Sequence, residues 1–205
     1  MESNHLKTVK DLHWVYQSMV NWASFSSDRA ELKAIADMDY DTFFFLQGKI
    51  NKTDNIHAYF GYYNDRLYIH FIPSSIDVTS SFTDKTIIPV ELHSCIVTKK
   101  SANKAPIQKN DAEIRMLKWD DRVYRNQILD TATFFQLFWI PNENFQDNTP
   151  LMINFGIHNG EVDLVLTQMS TMNNYLDTCK PIPPFKPTLI QSQFALLDQI
   201  KIWSI

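Results

Sequence analysis

The chain has 205 residues, 44% hydrophobic and 13% aromatic, which supplies a packed core and excludes a disordered polar chain. A formal charge of −4 and a pI near 5.8 give no general attraction to nucleic acid or anionic membrane, and four glycines leave little backbone for phosphate-cradling loops. Two cysteines, Cys95 and Cys179, are not a disulfide framework, no apolar run approaches a membrane span, and Met1 to Lys7 lack the features of a secretion signal. A protein of the reducing cytoplasm is expected.

Leu6, Val9, Leu12, Tyr16, Met19 and Val20 fall at helical spacing and predict an amphipathic helix ending near Trp22. Asp28 with Glu31 reads as a capping box that opens a short second helix through Leu32 and Ile35. A first strand is expected from about Thr42 to Gln47. The stretch Ala58 to Phe71 then reads as a β-hairpin, because apolar residues alternate on both sides of Asn64-Asp65, a pair that tolerates positive φ. With that turn, Tyr63 faces Arg66, Gly61 faces Tyr68 and Tyr59 faces His70. Phe60, Tyr62, Leu67, Ile69 and Phe71 share the opposite, core face.

After Pro73 a Ser/Thr-rich connection leads to a β-like run from Ile87 to Val97, with Pro89 favouring an edge position. Residues 99–110, lysine-rich and aperiodic, read as a linker. Asn110 and Glu113 look like a helix start, and Ile114, Leu117, Tyr124 and Ile128 are the expected buried stripe. A second hairpin follows from Ile153 to Leu166 around Asn159-Gly160. It repeats the Phe-Gly-x-x-Asn string of the first and places Ile153, Phe155, Ile157, Val162, Leu164 and Leu166 on one face. Upstream, Asp130 to Leu137 resembles Asp39 to Leu46 at an offset of 91, against 95 for the hairpins, which implies four extra residues around Pro141 to Asn144. Cys179 to Pro187 is proline-rich and should run extended over the surface. Ile190, Phe194, Leu197 and Ile200 mark a last amphipathic helix ending at Trp203, which docks on the protein's own sheet or completes a dimer or partner groove.

The expected fold is therefore α+β, with an antiparallel sheet built from two related β-β-β units and helices packed on one face. Residues 1–98 form the first half, 99–110 the linker, 111–172 the second half, and 173–205 the proline-rich segment with its terminal helix. The whole chain could equally be one compact domain.

Short catalytic motifs for nucleotide binding, metalloproteolysis, serine hydrolysis and paired-cysteine chemistry are all missing from the sequence. His93 and Cys95 lie two apart in a strand, hence on one face, where an imidazole could activate the thiol; the simpler reading is an edge histidine beside an apolar thiol. His57 and His70 would be diagonal neighbours on the first hairpin, but two histidines without a third ligand do not make a metal site, so no metal or cofactor is expected. Glu161 and Asp163 on the outer face of the second hairpin could serve a cation or a proton transfer, and a solvated sheet face explains them equally well. The surface that departs from a bland sheet is the outer face of the first hairpin, with His57, Tyr59, Tyr63, Arg66, Tyr68 and His70, since Tyr and Arg are enriched where proteins bind proteins. If no helix covers it, this face binds a protein partner or a second copy, with no nucleic acid and no membrane involved. The chain thus reads as a non-enzymatic interaction protein. The alternative is a small-molecule or thiol-dependent, hydrolase-like pocket between the two halves.

Overall fold

The computed structural model describes residues 7–8, 12–25, 28–38, 40–45, 54–82, 92–99, 111–131, 137–141, 151–168, 175–176, 180–182 and 194–203. A short strand β1 (Lys7–Thr8) precedes helices α1 (Leu12–Phe25) and α2 (Arg29–Ala36). Strand β2 (Tyr40–Phe45) is followed by β3 (Ile56–Tyr63), β4 (Arg66–Pro73), a 3₁₀ turn at Thr79–Phe82, β5 (His93–Ile96) and β6 (Thr98–Lys99). The second run has helices α3 (Asp111–Asp120) and α4 (Arg122–Thr131), then β7 (Leu137–Ile140), β8 (Leu151–His158), β9 (Glu161–Gln168), β10 (Tyr175–Leu176) and β11 (Lys180–Ile182). Helix α5 (Ala195–Trp203) comes last. The result is an α+β arrangement with antiparallel sheets, and among the described residues no helix is long and apolar enough to cross a membrane.

Local chemistry accounts for several boundaries. The Asp28 carboxylate accepts from the N–H groups of Ala30 and Glu31 at 2.9 and 3.1 Å, satisfying two of the free donors at the start of α2. Asp121 does the same for Val123 and Tyr124 at the start of α4. Both hairpin turns use left-handed backbone, with φ of 49° and 56° at Asn64 and Asp65 and of 50° and 80° at Asn159 and Gly160. Those angles suit a two-residue turn whose twist matches the flanking strands. They fix the registers Tyr63 to Arg66, Gly61 to Tyr68 and Tyr59 to His70, as the sequence pattern predicts.

The strands form two sheets, ordered β1-β5-β4-β3-β7-β11 and β10-β9-β8-β2-β6. Each run sends its opening strand to the other run's hairpin: β2 pairs with β8, and β7 pairs with β3. The registers correspond. Phe45 pairs with Leu151 and Ile140 with Ile56, while Thr42 pairs with Asn154 and Leu137 with Tyr59. A single step of 95 residues converts the first member of each pair of pairings into the second. The offset of 91 read for the opening strands is not the step that relates these pairings. At the offset of 91, Thr131, the last residue of α4, would stand against Tyr40, the first of β2. Because both sheets draw strands from both halves, a boundary at 99–110 divides the chain but not a sheet.

The inner faces of the sheets meet in the main core. Phe60, Ile69 and Phe71 of one pack with Ile153, Phe155 and Leu164 of the other, and the Phe60 and Phe155 rings lie 5.8 Å apart. Trp22 of α1 stacks on Phe60 at 5.4 Å, and Trp119 of α3 stacks on Phe155 at 4.9 Å. The expectation of helices on one face is corrected here, because α1 and α3 cover the two outward faces. Glycine permits both approaches: a Cβ on Gly61 would lie 2.3 Å from Ser18 Oγ, and one on Gly156 would lie 3.1 Å from Arg115 Cβ. The buried face of α3 is also not the one expected. Glu113, Met116 and Trp119 are buried, whereas Ile114 and Leu117 are 45% and 59% exposed. The period is right but shifted by one residue, since the stack of Trp119 on Phe155 fixes the helix rotation. Tyr124 and Ile128 do pack against the main core.

These two glycines should respond differently to a methyl group. Gly61→Ala meets Ser18 and His70 in a buried, polar contact and is expected to cost about 3 kcal/mol or more, whereas Gly156→Ala, at 3.1 Å from its neighbours, should cost about 1 kcal/mol. Urea melts of the two variants against the parent chain measure the difference.

Candidate functional site on the outer face of the first hairpin

Alternation along β3 and β4 puts His57, Tyr59, Gly61, Tyr63, Arg66, Tyr68 and His70 on the outward side, as the turn register requires. Helices α1 and α5 divide that side. Tyr59 and His70 are 0% exposed and His57 is 4% exposed, while Tyr63 and Tyr68 are half-buried and Arg66 is exposed. The six residues expected to form one open surface therefore separate into a sealed group and an accessible group.

His70 lies beneath α1. Its Nε2 is 2.8 Å from Ser18 Oγ, and its Nδ1 is 2.7 Å from Ser94 Oγ. The Ser18 hydroxyl donates to the Val15 carbonyl at 2.7 Å, so its oxygen is left to accept from His70 Nε2–H. Nδ1 then accepts from the Ser94 hydroxyl, and the ring is neutral with both nitrogens satisfied. Burial lowers its pKa from 6.5 to about 3. The Ser-His-Ser line is arranged like a hydrolytic relay, but the nucleophile's proton is committed to a carbonyl and Ser18, with 0% exposure, is closed to substrate.

His57 and Tyr59 meet a residue from the turn after β4. The Asp77 carboxylate is 0% exposed. Its Oδ2 accepts from Tyr59 Oη–H and lies 2.7 Å from His57 Nδ1. Its Oδ1 accepts the Leu196 N–H of α5 at 2.7 Å, and the Asp77 carbonyl accepts from Ala195 N–H at 3.3 Å. Phe194, just ahead of α5, covers the His57 ring at 4.5 Å. Burial, with the charges of Asp77 and Asp198 nearby, holds the Tyr59 hydroxyl well above its ordinary pKa of 10, so it stays protonated and donates to Asp77. A buried carboxylate is tolerated here because three donors and the positive end of a helix surround it.

The accessible group lies toward the tip of the hairpin. The Trp14 ring of α1 is 5.3 Å from Tyr68, edge to face, and 6.5 Å from Tyr63. Burial raises the Tyr68 pKa, with Tyr63 pushing the same way and Arg66 opposing it, so these three polar ends are close enough to feel each other. The cluster presents one indole, two phenols and a guanidinium, the last of them exposed.

His93 and Cys95 pair with Phe71 and Ile69 across β5 and β4, but their side chains lie outside the described residues. On the second hairpin the expected solvated face is corrected: Asn154 and Asp163 are buried beneath α3, and Asp163 is held by Arg115 at 3.0 Å. His158, half-buried, accepts from the same guanidinium at 3.4 Å, and Glu161 is exposed. Among the described residues no group of three His, Cys, Asp or Glu side chains is placed to hold a metal. A cavity of about 20 Å³ between the halves, lined by Trp22, Leu32, Trp119 and Phe155, is apolar and smaller than a ligand. Sequence reasoning missed Ser18, Asp77 and Trp14. Ser18 could have been found as a polar residue inside an apolar stripe and Gly61 as a sign of close approach, but nothing marks Asp77.

Comparison of the chain with protein-family models, with curated proteins and with solved structures finds no match. The reading of the site therefore rests on its geometry.

The neutral His70 makes a pH prediction. The unfolded chain takes up this proton near pH 6.5 and the folded one only near 3, so stability present above 6.5 is lost as the pH falls toward 3, by roughly 5 kcal/mol in the limit. His70→Asn, which keeps a polar atom near the Nδ1 position beside Ser94 but does not reach Ser18, is expected to be less stable at neutral pH but to show a shallower loss across that window. Chemical denaturation of both proteins from pH 7 to 4 measures the two slopes.

Proposed function

We propose that the chain is a non-enzymatic binding protein of the cytoplasm that docks a protein partner or a second copy through the accessible end of its first hairpin. The observation that carries this reading is the cluster of Trp14, Tyr63, Arg66 and Tyr68. Aromatic rings held by one another lose little side-chain freedom on binding, and Trp, Tyr and Arg dominate the energetics of interfaces. The sealed groups support the same choice. His57, Tyr59 and His70 have their hydrogen bonds directed into the protein, which leaves them as the supports of the surface.

A common origin for the two halves is part of this reading. The constant step of 95 between strand pairings supports it, and so do Met19 with Met116, Trp22 with Trp119 and Leu32 with Leu129, each pair 97 residues apart and buried. On that correspondence, Met152, Asn154 and Val165 stand in the second hairpin where the first has His57, Tyr59 and His70, and His158, Glu161 and Asp163 stand where it has Tyr63, Arg66 and Tyr68. The aromatic and cationic set belongs to one half alone, which favours placing the contact there.

Tyr68→Ala combined with Arg66→Ala is the test. The fold should persist, since Arg66 is exposed and Tyr68 sits at the margin of the cluster, while association in sedimentation and pull-down should weaken about tenfold. Unchanged association would remove the hairpin end as the contact surface.

A further inference from the structure

The two hairpins turn through the same left-handed geometry on different chemistry. Asn64 and Asp65 hold φ of 49° and 56°, and Asn159 and Gly160 hold 50° and 80°. In the first turn the residue after the asparagine carries a side chain, and in the second it carries only a hydrogen. Asn159 is the one asparagine of the sequence that precedes a glycine. It is exposed, and the ladder of β8 and β9 closes at the pair of His158 with Glu161, which leaves the Gly160 nitrogen outside it. A Cβ built on Gly160 would meet no described atom within 4 Å apart from its chain neighbours, so nothing packed on the turn crowds the approach of that nitrogen to the Asn159 carboxamide.

We propose that Asn159 is a site of spontaneous covalent modification, at which its carboxamide closes onto the Gly160 nitrogen. That nitrogen gives up its proton and bonds to Asn159 Cγ, the Cγ–Nδ2 bond breaks, and Nδ2 leaves as ammonia with the proton. Water then opens the cyclic imide at one of its two carbonyls. Opening at Cγ leaves aspartate on an unaltered main chain, and opening at the main-chain carbonyl leaves isoaspartate, with the chain routed through Cβ. Closure swings the Gly160 nitrogen toward Cγ, a movement that glycine permits and that the Asp65 side chain obstructs in the first hairpin. Asparagine is among the chemically labile residues, and here the fold leaves it accessible. Either product adds a negative charge to the −4 of the chain. Aspartate keeps the turn, since it tolerates positive φ as Asp65 does. Isoaspartate lengthens by one carbon the connection between Ile157 and Val162, which pair directly and are 0% and 3% exposed, so it disturbs the register of a buried face. This site lies on the second hairpin and is independent of the contact surface on the first.

The experiment incubates the full folded chain at body temperature and mildly alkaline pH, in water enriched in the heavy oxygen isotope. Charge-resolved separation is expected to show a more acidic species that grows with time. Peptide mapping should place the heavy oxygen at residue 159, as aspartate and isoaspartate together, while Asn64 stays at background. Gly160→Asp, which copies the first turn, should hold the acidic species at background, and Asp65→Gly, which copies the second, should make Asn64 convert as well. Both variants should keep the circular dichroism of the parent, since each borrows a turn that the protein already accommodates. The isoaspartate fraction, counted with an isoaspartyl-specific methyltransferase, should unfold at lower urea than the aspartate fraction. Four results would each overturn the proposal: no conversion in the folded chain, aspartate without isoaspartate, Gly160→Asp converting at the parent's rate, or Asp65→Gly leaving Asn64 inert.

Discussion

The fold depends on the crossing of two opening strands. β2 is bonded to β8 and β7 to β3, so neither hairpin has its inner neighbour until the other run of chain delivers it. An isolated hairpin is marginal in water, and a third strand with an apolar face is what gives it independent stability. Here the strand beside β3 or β8 comes from the other half, while β5 and β10 flank the far sides of the hairpins from their own halves. The same crossing aligns Phe60 over Phe155 and brings Trp22 and Trp119 into matching stacks, so the register of the sheets and the packing between them are one constraint.

The outward faces bury polar groups in sets that satisfy one another. Under α1, the Ser18 proton goes to a carbonyl, its oxygen takes the His70 proton, and Ser94 completes the ring's bonding. Under α5, Asp77 gathers a phenol, an imidazole and a helix N–H. An unsatisfied buried polar atom costs about 1–3 kcal/mol, so each arrangement is held in place by the penalty of undoing it. On the second hairpin the ion pair of Arg115 with Asp163 does the corresponding work with charge. These networks orient the helices, and the cluster of Trp14, Tyr63, Arg66 and Tyr68 lies at the margin of the helix so placed.

Much of this is local and was therefore readable from the sequence. The turn dipeptides set the hairpin registers, and alternation separated Phe60, Ile69 and Phe71 from Tyr59 and His70 correctly. What the sequence could not state was which strands meet across distance. Periodicity reports the face of a strand but not its neighbour, so nothing in the sequence of β2 points to β8 as its partner, or in that of β7 to β3. The rotation of α3 failed for a related reason: Ile114 and Leu117 match the helical period as well as Met116 and Trp119 do, and the stack on Phe155 decides between them. The cover over His57 and Tyr59 depends on Asp77, a residue in a Ser/Thr-rich turn with no local pattern to distinguish it.

The crossing also has a consequence in time. As the chain leaves a ribosome at about 5–20 residues per second, β3 is complete roughly 4–15 s before the last of residues 137–140 arrives to pair with it. Throughout that interval one border of the nascent first sheet offers unbonded amides along Ile56 to Tyr59, beside the apolar Ile56, Ala58 and Phe60, a surface that invites pairing with other unfinished chains. The cost of interlocking the halves thus falls on the cell before the protein exists, as a period when the growing chain must be shielded or kept dilute.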